Sequence, residues 1–397
     1  MKLYLYNLIL IIIFSLCLIK PILGQQDNPF SFASAKARKN ITRELKNEID
    51  SLVSLSLQPE EAENQWKKAF WAMELMLYSP SKWEERIPYF IIHLSSFDAE
   101  FQRAFLEMLY TLYPSKYSDQ IISVWHTLAN AKNQAMALEY LAVSHLFPEI
   151  TENHTIYSSD WHRAYQKRWP AQKIIYPTID SFSNEYFFPD EEILCSFQFT
   201  DRGKPGFLMI RKKNGEWVTG ENGKPIKFKQ LARSISNLPY YLTNGNTPLG
   251  LYRVTGFDYS SNEWIGPTKN VQMVLPYENN SSFFNGQQAT PITYEALLNP
   301  LIKDFPSLWE ANDAGKMGRT EIIAHGTTID PTLYNNNESY FPCTPSLGCL
   351  CSPEIWNKKG KRVESTQQAW IDALEKNNIQ PKWLIVVEIA NTDVSVK

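Results

Sequence analysis

The sequence predicts an α+β protein of more than one domain, in which an N-terminal all-α domain precedes a mainly β domain with inserted helices. Two observations predict this fold class. The chain has 397 residues, which is enough for two or three domains that each bury a core. Near Tyr176 the pattern changes from long segments of helical periodicity to short apolar or alternating runs separated by turn residues.

The first residues have the pattern of a secretory signal peptide, residues 1–24. Lys2 precedes an apolar run from Leu3 to Ile19, and the small residue Gly24 stands where cleavage would occur. The alternative is an uncleaved membrane anchor, although this run reaches only the lower length limit of a membrane-spanning helix. We expect an exported protein, periplasmic or associated with the cell wall, that meets a membrane only through this segment.

A polar linker is expected over residues 25–38, and a helical domain over residues 39–175. The segment PEEAENQWKKAFWAMELMLY begins with a proline and acidic residues and then places apolar residues at helical spacing. The segment SFDAEFQRAFLEMLYTLYP repeats this pattern, with Ser96 or Asp98 as the N-cap. Short turns between such helices suggest stacked helical hairpins of a HEAT-like kind. This domain carries no catalytic pattern, so we expect it to bind a partner protein or to give structural support.

The mainly β domain is expected over residues 180–397. Short β-rich runs alternate there with the turn signals DRGKPG, KKNGE and ENGKP. The runs are EEILCSFQFT, GFLMIRKKNGEW, GLYRVTGF, NVQMVLPY, EIIAHGTT and WLIVVEIA. Helices are predicted within TYEALLNPLIKDF and STQQAWIDALEKN.

Charge and cysteine content narrow the classes of function. The formal net charge of −3 gives no basic surface for nucleic acid, so no nucleic-acid partner is expected. Of the five cysteines, Cys17 lies in the signal segment and four would remain after export. Four cysteines in a chain of this length do not make a disulfide scaffold, so the three near the C-terminus need a local explanation.

His325 and Cys349 form the candidate catalytic pair. His325 is the one histidine of the predicted β domain and follows the apolar run TEIIA, while Cys349 lies in PSLGCLC. Cysteine catalysis needs a thiolate, a nearby base that forms it, and backbone N–H groups directed at the developing oxyanion. Because Gly348 lets the backbone approach a scissile carbonyl closely, the amides of Gly348 and Cys349 can point into such a site.

These residues resemble the L,D-transpeptidase (YkuD-like) catalytic domain. The signature of that family is a histidine, a gap, then Ser-His-Gly-Cys and usually Arg or Asn two places on. TPSLGCLC and the upstream HG of His325 match this signature in part. A second segment, NTPLGLYRV from Asn246 to Val254, resembles the Thr-Pro-x-Gly-x-Tyr/Phe segment of the family. The resemblance covers about residues 190–390.

The resemblance implies a role for each matching residue. Cys349 would be the nucleophile, His325 the general base, and Gly326 the residue whose carbonyl orients the imidazole. Ser346 and Gly348 match the signature, and the backbone around Gly348 would form the oxyanion hole. The implied enzyme acts on peptidoglycan stem peptides: its cysteine attacks an L,D-peptide bond, releases the terminal D-residue and forms a thioester. A stem-peptide amine then forms a 3-3 cross-link or an attached protein, and no metal or organic cofactor is expected.

Two residues depart from the signature, since Leu347 replaces its second histidine and Cys351 stands at the Arg or Asn position. The gap that precedes the cysteine is also longer than usual in the family. Two alternatives therefore remain open. One is an L,D-carboxypeptidase or endopeptidase, in which water is the acceptor, and the other is a peptidoglycan-binding protein whose β domain has lost its activity.

The cysteine cluster also admits two other arrangements. His325, Cys343, Cys349 and Cys351 supply four possible zinc ligands, although Cys-x5-Cys-x-Cys lacks the usual two-residue spacing of a zinc knuckle. A disulfide between Cys343 and Cys351 would be compatible with the enzyme hypothesis, because it would leave the thiol of Cys349 reduced.

Overall fold

The structure of the protein is a computed structural model. It describes residues 35–55, 62–169, 175–183, 187–262, 265–278, 280–284, 286, 290–298, 301–327, 346–357, 359 and 361–391. The predicted signal peptide, most of the predicted linker and Cys343 lie outside the described residues. Within them the protein is mixed α/β, with an N-terminal helical region followed by a large, nearly closed β-sheet, so the coarse fold prediction is confirmed. No helix in these ranges is long and apolar enough to cross a lipid bilayer.

Every regular element described before Ile193 is helical, as predicted. The α-helices are α1 Ala35–Ser54, α2 Glu63–Met76, α3 Ser81–Glu84, α4 Ile87–Ile92, α5 Ala99–Leu112, α6 Ser118–Val124, α7 Ala131–Val143 and α8 Asp160–Arg168. Helix α1 begins within the predicted linker, because residues 35–54 are rich in strong helix formers. Asp98 caps α5, since its side chain accepts a hydrogen bond from the Phe101 amide at 2.6 Å.

Aromatic side chains form the core of the helical region. Trp66 and Phe70 of α2 are fully buried, as are Phe90 of α4 and Phe101 of α5. The Trp66 and Phe90 rings have centroids 5.0 Å apart, and those of Phe70 and Phe101 are 5.5 Å apart, each pair edge-to-face. Such pairs bury large apolar areas and prefer this geometry, so the cluster holds α2, α4 and α5 together.

The sheet of the second half has eight strands in the order β3-β2-β1-β10-β4-β5-β6-β7. Two further strands, β8 and β9, pair separately. The strands are β1 Ile193–Phe199, β2 Gly206–Arg211, β3 Phe228–Gln230, β4 Gly250–Asp258, β5 Asn270–Val274, β6 Ile323–Gly326, β7 Leu350–Ser352, β8 Glu354–Trp356, β9 Arg362–Ser365 and β10 Trp383–Ile389. Six of them fall in the six predicted β-rich runs. The pairs β1–β10 and β6–β7 are parallel, and the other pairs of the large sheet are antiparallel.

The two edges of the large sheet meet at Leu231 and Cys351. The Leu231 amide donates to the Cys351 carbonyl at 2.8 Å, and the Cys351 amide donates back to Leu231 at 2.9 Å. This antiparallel bridge joins the end of β3 to β7. The backbone of Cys351 therefore helps to close the sheet, and closure satisfies edge groups that would otherwise be exposed.

Helices are inserted between the strands of the second half, as predicted. They are α9 Asn280–Phe283, α10 Pro291–Leu298, α11 Leu301–Asp304, α12 Glu310–Lys316 and α13 Thr366–Lys376. Buried polar contacts join this half to the helical region. The Tyr241 hydroxyl donates to Glu139 at 2.7 Å, and the Asn244 amide donates to Glu107 at 3.1 Å. Because Glu139 and Glu107 are buried, these bonds keep the two halves in register.

Candidate active site

The parallel strands β6 and β7 bring the predicted site residues together. His325 lies opposite Cys351 in the register of the two strands, and Ala324 lies opposite Leu350. Opposed residues of a parallel pair project to the same face of a sheet, and residues two apart along a strand share a face. Cys349, which directly precedes β7, is therefore brought to the same edge of the site as His325.

His325 is held by a carbonyl on its own strand. Its Nδ1 atom is 2.7 Å from the carbonyl oxygen of Gly326, which also accepts a hydrogen bond from the Gly266 amide at 2.8 Å. A carbonyl oxygen can only accept, so Nδ1 carries the hydrogen and Nε2 of the neutral ring is left as an acceptor. Burial lowers the pKa of His325, whereas the Gly326 carbonyl acts in the opposite direction. The neutral imidazole is therefore ready to accept a proton at Nε2.

Among the described cysteines, Cys351 has the thiol that contacts the acceptor nitrogen. Its Sγ atom is 3.5 Å from His325 Nε2, a distance that fits a weak hydrogen bond to sulfur. The Cys351 side chain is 0% exposed, in line with its place in the closed sheet. The sequence signature assigned no chemistry to Cys351, and the contact is a direct consequence of the β6–β7 register.

Cys349 has different neighbours. The residue as a whole is partly exposed, its thiol donates to the Glu321 carbonyl at 3.6 Å, and no hydrogen bond joins it to His325 among the described residues. Glu321 has a positive φ of 60°, and its amide is fixed by the Glu278 carboxylate at 2.8 Å. A non-glycine residue in this region is strained, which marks the position as one that surrounding contacts determine. The pairing of Cys349 with His325 stays a prediction.

The ionisation of Cys349 is subject to opposing effects. Burial of the thiol raises its pKa above the ordinary value of a cysteine. A hydrogen bond from the Ile323 amide and the charge of Arg319 lower the pKa, and the charge of Glu321 raises it. Cys349 is therefore a thiol in the resting site, and a base is needed to form its thiolate.

Ser346 and Gly348 shape the turn before Cys349. The Ser346 hydroxyl accepts a hydrogen bond from the Gly348 amide at 3.0 Å and donates to the Cys349 carbonyl at 3.0 Å. Gly348 has a φ of +112°, which an L side chain rarely adopts. The Gly348 amide, which sequence reasoning assigned to an oxyanion hole, thus has its hydrogen-bond partner within the turn.

The two segments that resemble the family signature meet at this turn. The hydroxyl of Thr247, in the NTPLGLYRV segment, donates a hydrogen bond to the Gly348 carbonyl at 2.8 Å. Both groups are buried, so the bond fixes one segment against the other. No local pattern in either segment predicts this contact, because it joins residues about 100 positions apart.

Two further residues belong to the site and escaped sequence reasoning. Arg319, between α12 and β6, lies against Gly348, because a Cβ atom at that glycine would overlap the Arg319 Nη2 atom. Glu354 lies against Gly326 in the same way, since a Cβ there would overlap its carboxyl group. Neither residue belongs to a local motif, so only the folded arrangement could have revealed them.

The alternative of a zinc site involves a residue beyond the described ranges. Cys343 is one of the four ligands that this hypothesis requires. In the described part of the chain, no group of three His, Cys, Asp or Glu side chains is arranged to hold a metal ion. Cys195, Cys349 and Cys351 are reduced thiols in the structure.

Comparisons of the chain with models of known protein families, with curated proteins and with solved structures gave no match. The likeness to L,D-transpeptidases therefore depends on the residues themselves: the HG of β6, the Ser-x-Gly-Cys turn before β7 and the NTPLG segment that contacts it.

Proposed function

We propose that the protein is an exported cysteine acyltransferase similar to the L,D-transpeptidases, acting on peptidoglycan stem peptides. The observation that carries the proposal is the state of His325. Its Nδ1 atom is hydrogen-bonded to the Gly326 carbonyl at 2.7 Å, and its Nε2 atom faces Cys351 of β7, the strand that Cys349 directly precedes. A neutral imidazole with this orientation is the general base that cysteine acyl transfer requires.

In the proposed reaction, His325 Nε2 takes the proton of the Cys349 thiol, and the sulfur attacks the carbonyl carbon of an L,D-peptide bond. The C–N bond then breaks, the proton passes from His325 to the departing amine of the D-residue, and a thioester remains on Cys349. An acceptor amine attacks the thioester carbon and gives a proton to His325. The C–S bond breaks, and the sulfur regains a proton. The reaction requires the Cys349 side chain to turn from the Glu321 carbonyl towards His325.

The domain roles follow from this proposal. Residues 180–397 would be the L,D-transpeptidase-like catalytic domain, and residues 39–175 a helical-hairpin, HEAT-like domain that binds a partner protein or positions the enzyme at the wall. Residues 1–24 would direct export and be removed. The proposed activity needs no metal or organic cofactor.

Cys351 is a second candidate nucleophile, because its Sγ atom is the one at 3.5 Å from His325 Nε2. We favour Cys349 because a nucleophile must meet a peptide substrate. Cys349 is partly exposed, whereas the side chain of Cys351 is 0% exposed. Attack by Cys351 would require its fully buried side chain to become accessible to the peptide.

Product analysis tests the proposed function. The purified protein, residues 25–397, is incubated with tetrapeptide muropeptides. The products are separated and identified by mass spectrometry. Cross-linked dimers that disappear in Cys349→Ala support the transferase. Trimmed monomers without dimers indicate the hydrolase instead, and binding without turnover by wild type indicates a peptidoglycan-binding protein.

A further inference from the structure

Arg319 is a buried cation next to the turn of Cys349. Its side chain is 7% exposed. Its Nη1 atom donates to the carbonyl oxygens of Tyr240 at 2.6 Å and Asn246 at 2.9 Å. Its Nη2 atom lies against Gly348, where no side chain could be added without overlap. The guanidinium is thus fixed directly beside the residue that precedes the proposed nucleophile.

Among the described residues, no carboxylate lies within ion-pair distance of the Arg319 guanidinium. A buried guanidinium is costly unless an anion or a well-placed set of acceptors balances it. In the described part of the chain, its hydrogen bonds reach backbone carbonyls, and Glu107 acts on it only from beyond ion-pair distance. Arg211 is also buried; it donates to the Phe188 carbonyl at 2.9 Å and lies over the ring of Phe187, 5.5 Å from its centroid.

We propose that the anion that Arg319 balances is the thiolate of Cys349, so that Arg319 is a positioning residue that favours the ionised sulfur. The inference rests on the proposed function for its catalytic meaning, but the ionisation of the Cys349 thiol can be measured without substrate. A cation next to a thiol favours the charged form, as other positively charged surroundings of reactive cysteines do.

The surroundings of Cys349 agree with this role. Burial raises the pKa of Cys349; the charge of Arg319 lowers it, and the charge of Glu321 has a smaller raising effect. The Ile323 amide adds a hydrogen bond that also lowers the pKa. His325 does not compensate the thiolate in the resting arrangement, because its Nε2 atom faces Cys351.

The test measures the reactivity of Cys349 without any substrate. Residues 25–397 carrying Cys343→Ser and Cys351→Ser are alkylated with iodoacetamide over a range of pH, and modification of Cys349 is followed by mass spectrometry. Cys195 does not interfere, because burial raises its pKa to about 12. In this background Arg319→Gln should slow alkylation at pH 8 about tenfold and move its pH midpoint upwards.

Two matched variants serve as controls, one that keeps the positive charge at position 319 and one that removes a different buried arginine. Arg319→Lys keeps a cation and should stay within about threefold of the wild-type rate. Arg211→Gln removes another buried arginine, which lies in β2 away from the site, and should leave the alkylation of Cys349 unchanged. If Arg319→Gln folds and alkylates with the wild-type rate and midpoint, the proposal is overturned.

A measurement on the unaltered arginine covers the case in which Arg319→Gln does not fold. The guanidinium carbon resonance of Arg319 should titrate with the same midpoint as Cys349 alkylation and should lose this titration in Cys349→Ala. An Arg319 resonance that does not titrate with Cys349 contradicts the proposal. Because neither readout uses peptidoglycan, the proposed function can fail in the product assay while this inference stands, and the reverse also holds.

Discussion

Cys349 and Cys351 lie two residues apart beside the same strand, yet they occupy opposite kinds of environment. Cys351 is fully buried, its backbone closes the sheet through Leu231, and its sulfur is 3.5 Å from His325 Nε2. Cys349 is partly exposed at a glycine turn, where the Glu321 carbonyl and the charge of Arg319 surround its sulfur.

The two cysteines meet different requirements of a cysteine nucleophile. Cys351 has the base and lacks access, while Cys349 has access and a cation but no hydrogen bond to the base in the resting protein. Catalytic contacts are often long before substrate binds, so the shortest distance to a histidine does not by itself identify the nucleophile. Access and charge favour Cys349, and side-chain rotation can supply the missing contact.

The largest expected effect follows removal of the base. His325→Gln should slow thioester formation by about 10²–10⁴, because no other group at the site accepts the proton of the thiol in the proposed reaction. The measurement is single-turnover acylation by a stem tetrapeptide. His162→Gln is the matched control, since His162 is also buried but lies in α8, and it should change the rate by less than about threefold. If His325→Gln is acylated at the wild-type rate, the imidazole is not the general base of the reaction.

A smaller effect is expected when the turn before Cys349 is filled. Gly348→Ala should lower the free energy of unfolding by about 2–4 kcal/mol, because a φ of +112° strains an L side chain and its Cβ would overlap Arg319 and the Gly245 carbonyl. Gly223→Ala is the control, since Gly223 has a φ of +72° but no atom within 4 Å of the added Cβ.

Urea denaturation of both glycine variants measures the difference. The control should cost about 1 kcal/mol, which is the strain alone. If both variants lose the same free energy of unfolding, Arg319 is not packed against the turn before Cys349. The contrast between Cys349 and Cys351 would then be weaker, because the nearby cation is part of it.

The smallest expected effect is a displacement of the pH profile. Burial lowers the pKa of His325 below its ordinary value of 6.5, so the imidazole stays neutral into mildly acidic solution. The acid limb of the acylation rate should therefore have its midpoint below pH 6.5. As pH falls through this region, His325 binds a proton in the unfolded chain but not in the folded chain. The free energy of unfolding therefore decreases there. An acid limb centred above pH 6.5 would contradict a buried neutral base.

The sequence predicted the elements of this fold better than their contacts. The apolar spacing of Trp66 and Phe70 and the cap at Asp98 are local signals, and the structure has the helices that they indicate. The strand β7 was not predicted, because three residues next to a glycine turn carry too short a pattern. Parallel pairing of β6 and β7 depends on chain closure between distant segments, which no local pattern encodes.

The candidate site shows the same limit. His325, Gly326, Ser346, Gly348 and Cys349 could be singled out because each belongs to a short pattern with a chemical meaning. Arg319 could not, because its place in the site depends on the carbonyls of Tyr240 and Asn246, far away along the chain. The Cys351–His325 contact likewise depends on strand register, and a shift of one residue would reverse which side chains share a face.

The most direct test of the central claim is the location of the acyl group. Wild type, Cys349→Ala and Cys351→Ala are each incubated with a stem tetrapeptide and quenched with acid. Their intact masses are then measured by mass spectrometry. We predict a thioester adduct on wild type and on Cys351→Ala, and none on Cys349→Ala. An adduct that persists on Cys349→Ala and disappears from Cys351→Ala would contradict the account and make the buried thiol beside His325 the nucleophile.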